Sequence, residues 1–551
     1  MKLFPQIYRR KMSRTSRSLI LLAITLFVAC SSSKQAVELP VPDVTDFQNT
    51  ITEEGLLLDL TVIASDEMEG RDTGSEGLKK AADYLAGRYE ELGLIPVGDD
   101  DSYFQHFNLS SNVFESINYA VYNANGEPID ESVHSANQIG SFNTLLGGGG
   151  TVSGELFFAG YGIKDEANGI NHFEGNLDRK WILLFYDRSI TDFSAIQDAI
   201  ENRGAKGAIL IIGTDEQDFE DQAMQMQGEF GESSGLALEY LSEDQAEAPF
   251  NRIRPSLAAT LFGLNSLEEL AALETEIKDS PEAFEGYELP FTLYHQAQVT
   301  KDVVETKNIV AFIEGTDPEL KDEVIVLSSH YDHVGISTPD STGDAIYNGA
   351  DDDGSGTVGL LHVAQALASA KQAGAEIKRS VLILHVSGEE RGLLGSRYYS
   401  DHPIFSIENT VANLNSDMIG RRDDRYADNP NYIYVIGGKI ISGGLQATLE
   451  QANQMSVNLE LSDRYNDLND PNQFYRRSDH WNFGRLGVPF IFFFNGTHED
   501  YHRPSDEIDK IDFEALQKRT KLIFMTTALL ANDAGRPLVD NQQFIERTKQ
   551  N

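Results

Sequence analysis

The chain has 551 residues, more than one ordinary core accommodates, so two or three domains are expected. Hydrophobic residues at 40% and aromatic residues at 9% mark most of it as globular rather than disordered. With 87 acidic against 44 basic residues the formal net charge is -43, which excludes nucleic acid as a partner and, beyond that, serves solubility.

The N-terminus departs from this acidity. Lys2, Arg9, Arg10, Lys11, Arg14 and Arg17 precede an apolar run from Leu19 to Ala29, the layout of a secretory signal and too short to span a bilayer. Cys30, the single cysteine, closes the string Leu26-Phe27-Val28-Ala29-Cys30 and is followed by three serines. This resembles a bacterial lipobox, with Phe27 where leucine is commoner. Residues 1–30 are therefore expected to be a lipoprotein signal peptide. Cys30 would be the lipidated first residue of an exported protein, on the periplasmic side or the cell surface, touching the membrane through lipid alone. A lone cysteine excludes an intrachain disulfide framework, and lipidation would leave no free thiol for catalysis. Residues 31–46 are polar, carry Pro40 and Pro42, and read as a tether.

From Ser75 to Leu92 a helix is expected, with Leu78, Ala81, Ala82, Leu85, Tyr89 and Leu92 on one face, Ser75 as N-cap and Gly93 as stop. Between about residues 115 and 295 short apolar runs (Gly154 to Tyr161, Trp181 to Tyr186, Ala208 to Ile212) alternate with glycine turns and acidic stretches. Gly147 to Gly150 reads as a flexible loop without a nucleotide fingerprint. An inserted mixed α/β domain fits this texture. Its phrases Phe158-Ala159-Gly160-Tyr161-Gly162-Ile163 and Gly204-Ala205-Lys206-Gly207-Ala208 resemble a protease-associated domain. From Lys301 the pattern becomes strand–helix–strand, with nearly continuous apolar strands at Val324 to Leu327, Val381 to Val386, Tyr432 to Ile436 and Pro489 to Phe494. Buried, largely parallel sheets flanked by helices look like this, and Gly359 to Ala370 supplies one covering helix.

Acidic residues and histidines recur just after these strands, where ligand sites of open α/β sheets lie. His330 and Asp332 follow the first, two residues apart and so on one side of an extended chain. A carboxylate on the second nitrogen of a metal-bound histidine fixes its tautomer; alone, the pair equally suits a core histidine beside a surface aspartate. Asp351, Asp352 and Asp353 sit among glycines ahead of a helix. Their mutual repulsion requires either a solvated loop or cations, and the spacing is wrong for a calcium loop. Glu389 and Glu390 follow the next strand; adjacent glutamates diverge, so one can ligate a metal while the other serves as general base. Asp417 and His502 complete the set. Two histidines, several carboxylates and no cysteine suit zinc, and oxygen-rich sites also accept manganese or cobalt.

The ordered set HYD (330–332), GADDDGSG (349–356), SGEE (387–390), NSDM (415–418) and YHRPSD (501–506) resembles the di-zinc aminopeptidases, zinc exopeptidases related to glutamate carboxypeptidase and the transferrin receptor. The resemblance covers residues 47–115 and 300–535, with the protease-associated insert at 116–299 and a C-terminal tail at 536–551. It implies an α/β fold with a mixed, largely parallel central sheet flanked by helices. It also implies two Zn2+ per chain: His330 and Asp417 on one, Glu390 and His502 on the other, Asp352 bridging both. Asp332 would orient His330, and Glu389 would be the general base. Tyr501 and Arg477 match positions that contact the scissile carbonyl and its developing oxyanion. Peptides with a free N-terminus would be the substrates; nothing in the sequence speaks to oligomeric state.

Two other matches are set aside. His498-Glu499-Asp500-Tyr501-His502 fits the HExxH pattern, but Gly496, Pro504 and the missing apolar periodicity argue against the helix that pattern needs. Gly231-Glu232-Ser233-Ser234-Gly235 fits GxSxG without the strand–turn–helix frame of a nucleophile elbow. Three alternatives stay open: a carboxypeptidase or dipeptidase of the same clan, a one-zinc glutaminyl cyclase, and a non-catalytic binding or receptor protein on this scaffold.

Overall fold

The computed structural model describes residues 41–134, 142–146, 149–165, 167–187, 189–220, 235–242 and 248–549. The expected signal sequence, Cys30, most of the tether and all of the GxSxG match but its last glycine lie outside these residues.

Helix α1 (Glu53–Ile63) leads to α2 (Glu76–Glu91), where Ser75 Oγ accepts from Leu78 N at 3.1 Å. The expected face of α2 is buried, Leu78 to Tyr89 packing in one core with Leu56, Leu60 and Ile63 of α1. The sheet begins with β1 (Phe104–Asn123) and continues through β2 (Gly150–Phe158), β3 (Trp181–Phe185), β4 (Gly207–Ile211) and β5 (Phe250–Ile253). Strand β6 (Tyr287–Ile313) returns the chain to the second half, with β7 (Val324–His330), β8 (Ser380–Val386), β9 (Thr410–Ser416), β10 (Tyr432–Ile436) and β11 (Phe490–Phe494). Helices α3 (Gly356–Gln372) and α4 (Phe513–Asn532) cover one face.

The spatial order is β10-β11-β9-β7-β8-β6-β2-β3-β4-β5. Strands β8, β7, β9 and β11 run parallel to one another, as do β2, β3, β4 and β5; β10 is antiparallel to β11, and β6 to both β8 and β2. The fold is thus α/β with a mixed, largely parallel central sheet. Burial on both faces explains the continuous apolar strands. Ile325, Leu327 and Ile383 face the helices, while Val324, Val326 and Leu384 face a second layer with Tyr399 and Phe483. Another core, around Phe158, Trp181, Phe185 and Ile209, fills the other half.

β7 runs three residues past the apolar stretch. Ser328, Ser329 and His330 stay in the strand because each finds a polar partner: Ser328 Oγ donates to Asn415 Oδ1 at 2.6 Å, and Ser329 Oγ lies 2.7 Å from His385 Nδ1. The two halves are joined by a long antiparallel ribbon, β1 pairing with β6 from Phe104↔Ile309 to Asn123↔Phe291. Ser116, where the insert is expected to begin, faces Gln298. Beyond residue 535, a helix at Gln542–Thr548 buries Phe544 near Phe490. Among the described residues no helix is long and apolar enough to cross a membrane.

Leu327→Ala, at the sheet centre, should cost about 2–5 kcal/mol in chemical unfolding. Leu486→Ala, at a residue 42% exposed, should stay within about 0.5 kcal/mol.

Candidate metal centre

Parallel register gathers the chemistry at one edge. His330 closes β7 opposite Val386, the last residue of β8, from which the chain turns through Ser387 and Gly388 to Glu389 and Glu390. Ser416 closes β9 beside Phe493 of β11, so Asp417 and the loop carrying His502 leave the same edge. The aspartate loop arrives from the side and enters α3. It turns at Gly349, whose φ of 55° and contact with the Asp352 carbonyl and the His333 ring admit no side chain.

The five expected ligands converge. His330 Nε2 lies 3.3 Å from Asp352 Oδ1 and 3.6 Å from Asp417 Oδ1; His502 Nε2 lies 3.1 Å from Asp352 Oδ2 and 3.0 Å from Glu390 Oε2. Asp352 therefore sits between two histidines, one on each carboxylate oxygen. Its Oδ2 is buried without an aligned hydrogen bond although His502 is close. Donor atoms that crowd without hydrogen-bond alignment suit cations, and imidazole with carboxylate is a zinc-type donor set. His330 presents Nε2 to the cluster because its Nδ1 lies 3.1 Å from the backbone carbonyl of Asp332. The Asp332 carboxylate is farther from that nitrogen, at 3.8 Å, and instead accepts from Thr73 Oγ1 (3.0 Å) and Glu389 N (3.3 Å). Asp332 thus orients the histidine by its main chain and the Glu389 turn by its side chain.

The three adjacent aspartates are all buried, and each solves its desolvation differently. Asp351 Oδ1 accepts from Gly420 N and Ser355 Oγ, and its Oδ2 meets His498 Nε2 at 3.1 Å. Asp353 Oδ1 accepts from Gly356 N and Met418 N, both at 3.0 Å, tying α3 to the Asp417 turn. Asp352 is held by Asp506 Oδ2, which accepts from the Asp351 and Asp352 amides, and it sits between the histidines, while Asp353 also keeps a carboxylate oxygen within metal-ligand reach of His330 and Asp417. His498 serves Asp351 and is no ligand; residues 499–502 form a turn, so no zinc-binding helix exists there.

Burial, reinforced by Asp479, Glu390 and Asp417, holds Glu389 well above the ordinary carboxylate range, against the pull of His330. A carboxylate of raised proton affinity is what general-base work needs, and cations in the cluster would draw it back toward neutrality. Burial also raises Asp479, to about 7. Burial and the neighbouring Asp352 would raise Glu390, yet His333 and His502 bring it down to about 2. Burial likewise opposes charge on His502, but the Asp352 and Glu390 carboxylates hold it at about 11.

A pocket opens beside these groups. Asp352, Glu389 and Asp417 form its polar side, and Phe474, Phe492 and Phe494 its apolar wall. Tyr501 and Arg477 both line it: Tyr501 stacks on His502, with centroids 3.9 Å apart, and the exposed Arg477 guanidinium lies over Phe474 at 4.9 Å.

Residues 308–527 match the family model described as Peptidase family M28. Over this span, less than half of the chain, the sequence is similar to peptidase family M28. Curated relatives of the M28 span are about as long again as the stretch they share. A probable leucine aminopeptidase of Arthroderma otae is 28% identical over 211 residues, 37% of this chain and 54% of the relative. Aminopeptidase Y of Saccharomyces cerevisiae is 26% identical over 270 residues, 47% and 45% respectively. The chain thus spans about half the length of the curated relatives it matches. An aminopeptidase from Aneurinibacillus sp. strain AM-1 shares the fold at a TM-score of 0.54 and 16% identity, over 90% of this chain and 98% of that one.

Within the M28 span, sequence reasoning passed over His333, whose Nδ1 lies 2.8 Å from Glu390 Oε1, and Asp506. A second histidine three residues after His330 and an aspartate closing the His502 motif were the available signals.

A metal ion requires the neutral ring of His502, so metal uptake near pH 7 should release protons. Apparent affinity should then rise between pH 6 and 8, about tenfold per unit for each proton released. Calorimetry in buffers of different ionisation enthalpy counts those protons; an affinity flat with pH would contradict the paired state of His502.

Proposed function

We propose that the protein is an aminopeptidase that holds two zinc ions and removes N-terminal residues from peptides. The observation that carries this reading is the convergence of His330, Asp352, Glu390, Asp417 and His502 on one sheet edge, with Glu389 beside them. The aminopeptidase names of the relatives support the reaction class. His330 and Asp417 would hold one ion and Glu390 and His502 the other, with Asp352 shared. Bound there, the ions supply Lewis acidity and lower the pKa of water.

The chain's own residues do the rest. Glu389 takes the proton from the attacking water and passes it to the leaving amine. Tyr501 and Arg477, lining the same pocket, are placed to steady the carbonyl oxygen as it gains charge. Excess carboxylate around the ligands attracts a substrate's α-ammonium, and the phenylalanine wall suits an apolar N-terminal side chain. Export on residues 1–30 and anchoring through Cys30 extend the reading on the sequence pattern alone. Residues 116–299 are read as the protease-associated insert, narrowing the approach for peptide.

Metal analysis should find two zinc per chain, and leucyl-arylamide should be cleaved while its N-acetylated form and acidic aminoacyl-arylamides are not. Glu389→Gln should keep the zinc and lower kcat by roughly two to four orders of magnitude. Near-normal turnover in that zinc-loaded variant would reject Glu389 as the base; one zinc or none, with no cleavage, would reject the aminopeptidase.

A further inference from the structure

The segment Asp66–Thr73 lies outside the M28-matched span, yet it is stitched into the metal centre residue by residue. Its backbone is unusual: Glu69, Gly70 and Arg71 have φ of 53°, 66° and 54° in succession. Only a constraint from the surroundings keeps non-glycine residues there. At Gly70 a Cβ would collide with the Gly335 and Tyr347 carbonyl oxygens, so the segment is pressed directly against the loop between β7 and the aspartates.

Arg71 is fully buried. Its Nε donates to Tyr331 O at 2.9 Å, Nη1 to Asn348 O at 2.6 Å and Ile63 O at 2.8 Å, and Nη2 to Gly349 O at 3.0 Å. Its own carbonyl accepts from His333 N at 3.0 Å. One guanidinium thus binds the chain immediately after His330 and immediately before the aspartate loop. Around it, Asp66 accepts from Asn348 Nδ2 (2.8 Å), Asp72 pairs with Arg391 (2.7 Å), and Thr73 donates to Asp332 (3.0 Å). Asp332, Asp352, Asp353 and Asp506 surround the same cation, which offsets part of their repulsion.

We infer that this strap, centred on Arg71, is a positioning element of the metal centre that fixes the spacing between the His330 turn and the Asp352 loop. The inference rests on the metal-dependent reading above. Arg71 touches no reacting atom; it works through carbonyls that flank the ligands. The planar fork of five donors suits this, whereas a lysine ammonium offers three donors from one point and cannot reach three chain segments. Groups that orient metal ligands from outside commonly alter metal affinity or activity by about 10–100-fold when lost.

The test compares Arg71→Lys with Arg379→Lys. Arg379 is also buried and clamps backbone carbonyls, those of Leu530 and Asp533, at the opposite end of β8. Zinc affinity by chelator competition, thermal unfolding of the metal-free protein, and kcat and KM on leucyl-arylamide are measured for each. Arg71→Lys should bind zinc about 10–100-fold more weakly and lose kcat by a similar factor with KM little changed. Arg379→Lys should lower thermal stability and leave zinc affinity and kcat alone. Wild-type zinc affinity and kcat in Arg71→Lys would overturn the inference. If Arg71→Lys fails to fold, Thr73→Val decides: it removes one hydroxyl from Asp332 and should weaken zinc binding in the same direction, and unchanged affinity and kcat would overturn the strap's role. Wild-type protein that holds no zinc would overturn the reading of the site and this inference together, whereas an active, zinc-loaded wild type beside an unaffected Arg71→Lys overturns the strap alone.

Discussion

The structure is organised around negative charge kept away from water. Asp332, Asp351, Asp352, Asp353, Asp417, Asp479 and Asp506 are all buried near one sheet edge, with Glu389 and Glu390 at its rim. Two like charges 4 Å apart at an effective dielectric of 20 repel by about 4 kcal/mol, more than a single hydrogen bond returns. The arrangement persists because every neighbouring element contributes compensation. Backbone amides of Gly356, Met418 and Gly420 point at carboxylates, imidazoles stand between them, and Arg71 supplies a buried positive charge. The oxygens left over, on Asp352 and Asp353, lie where bound cations would complete the balance.

Parallel strands make that convergence possible. Every strand of the central set must end at the same edge, so loops distant in sequence meet there without any long excursion. The helices cover one face and a second apolar layer covers the other, leaving the edge as the place where polar chemistry can concentrate. The phenylalanine wall extends this logic. Phe492 and Phe494 alternate with Phe493 in β11, so one strand contributes to the helix-side core and to the pocket at once.

Much of this was legible in the residues. Apolar runs located β8, β10 and β11 to within a residue, since strands buried on both faces carry no competing polar signal. The polar end of β7 was not legible: Ser328 and Ser329 read as loop until Asn415 and His385 are seen beside them. The same holds at the site. The candidate ligands stood out because histidine and carboxylate after a strand are chemically conspicuous. The roles of Arg71 and Thr73 were hidden, since they contact strand ends some 260 residues away. Asp332 illustrates the limit: spacing suggested its carboxylate would hold His330, but the carbonyl of the same residue is nearer, a distinction that residue identity does not encode.

The ribbon of β1 and β6 has a consequence for how such a chain can change over time. Val113 and Thr300 are partners across it, as are Phe104 and Ile309 nearer the half that holds the acidic cluster. Everything between them therefore leaves and returns at two points already side by side, about 5 Å apart as neighbouring strands are, with Tyr240 reaching back to donate to Asp401. A gene could lose that whole stretch, or acquire another, by rewriting the tip of a hairpin, and the strands that carry His330, Glu390 and Asp417 would keep their places.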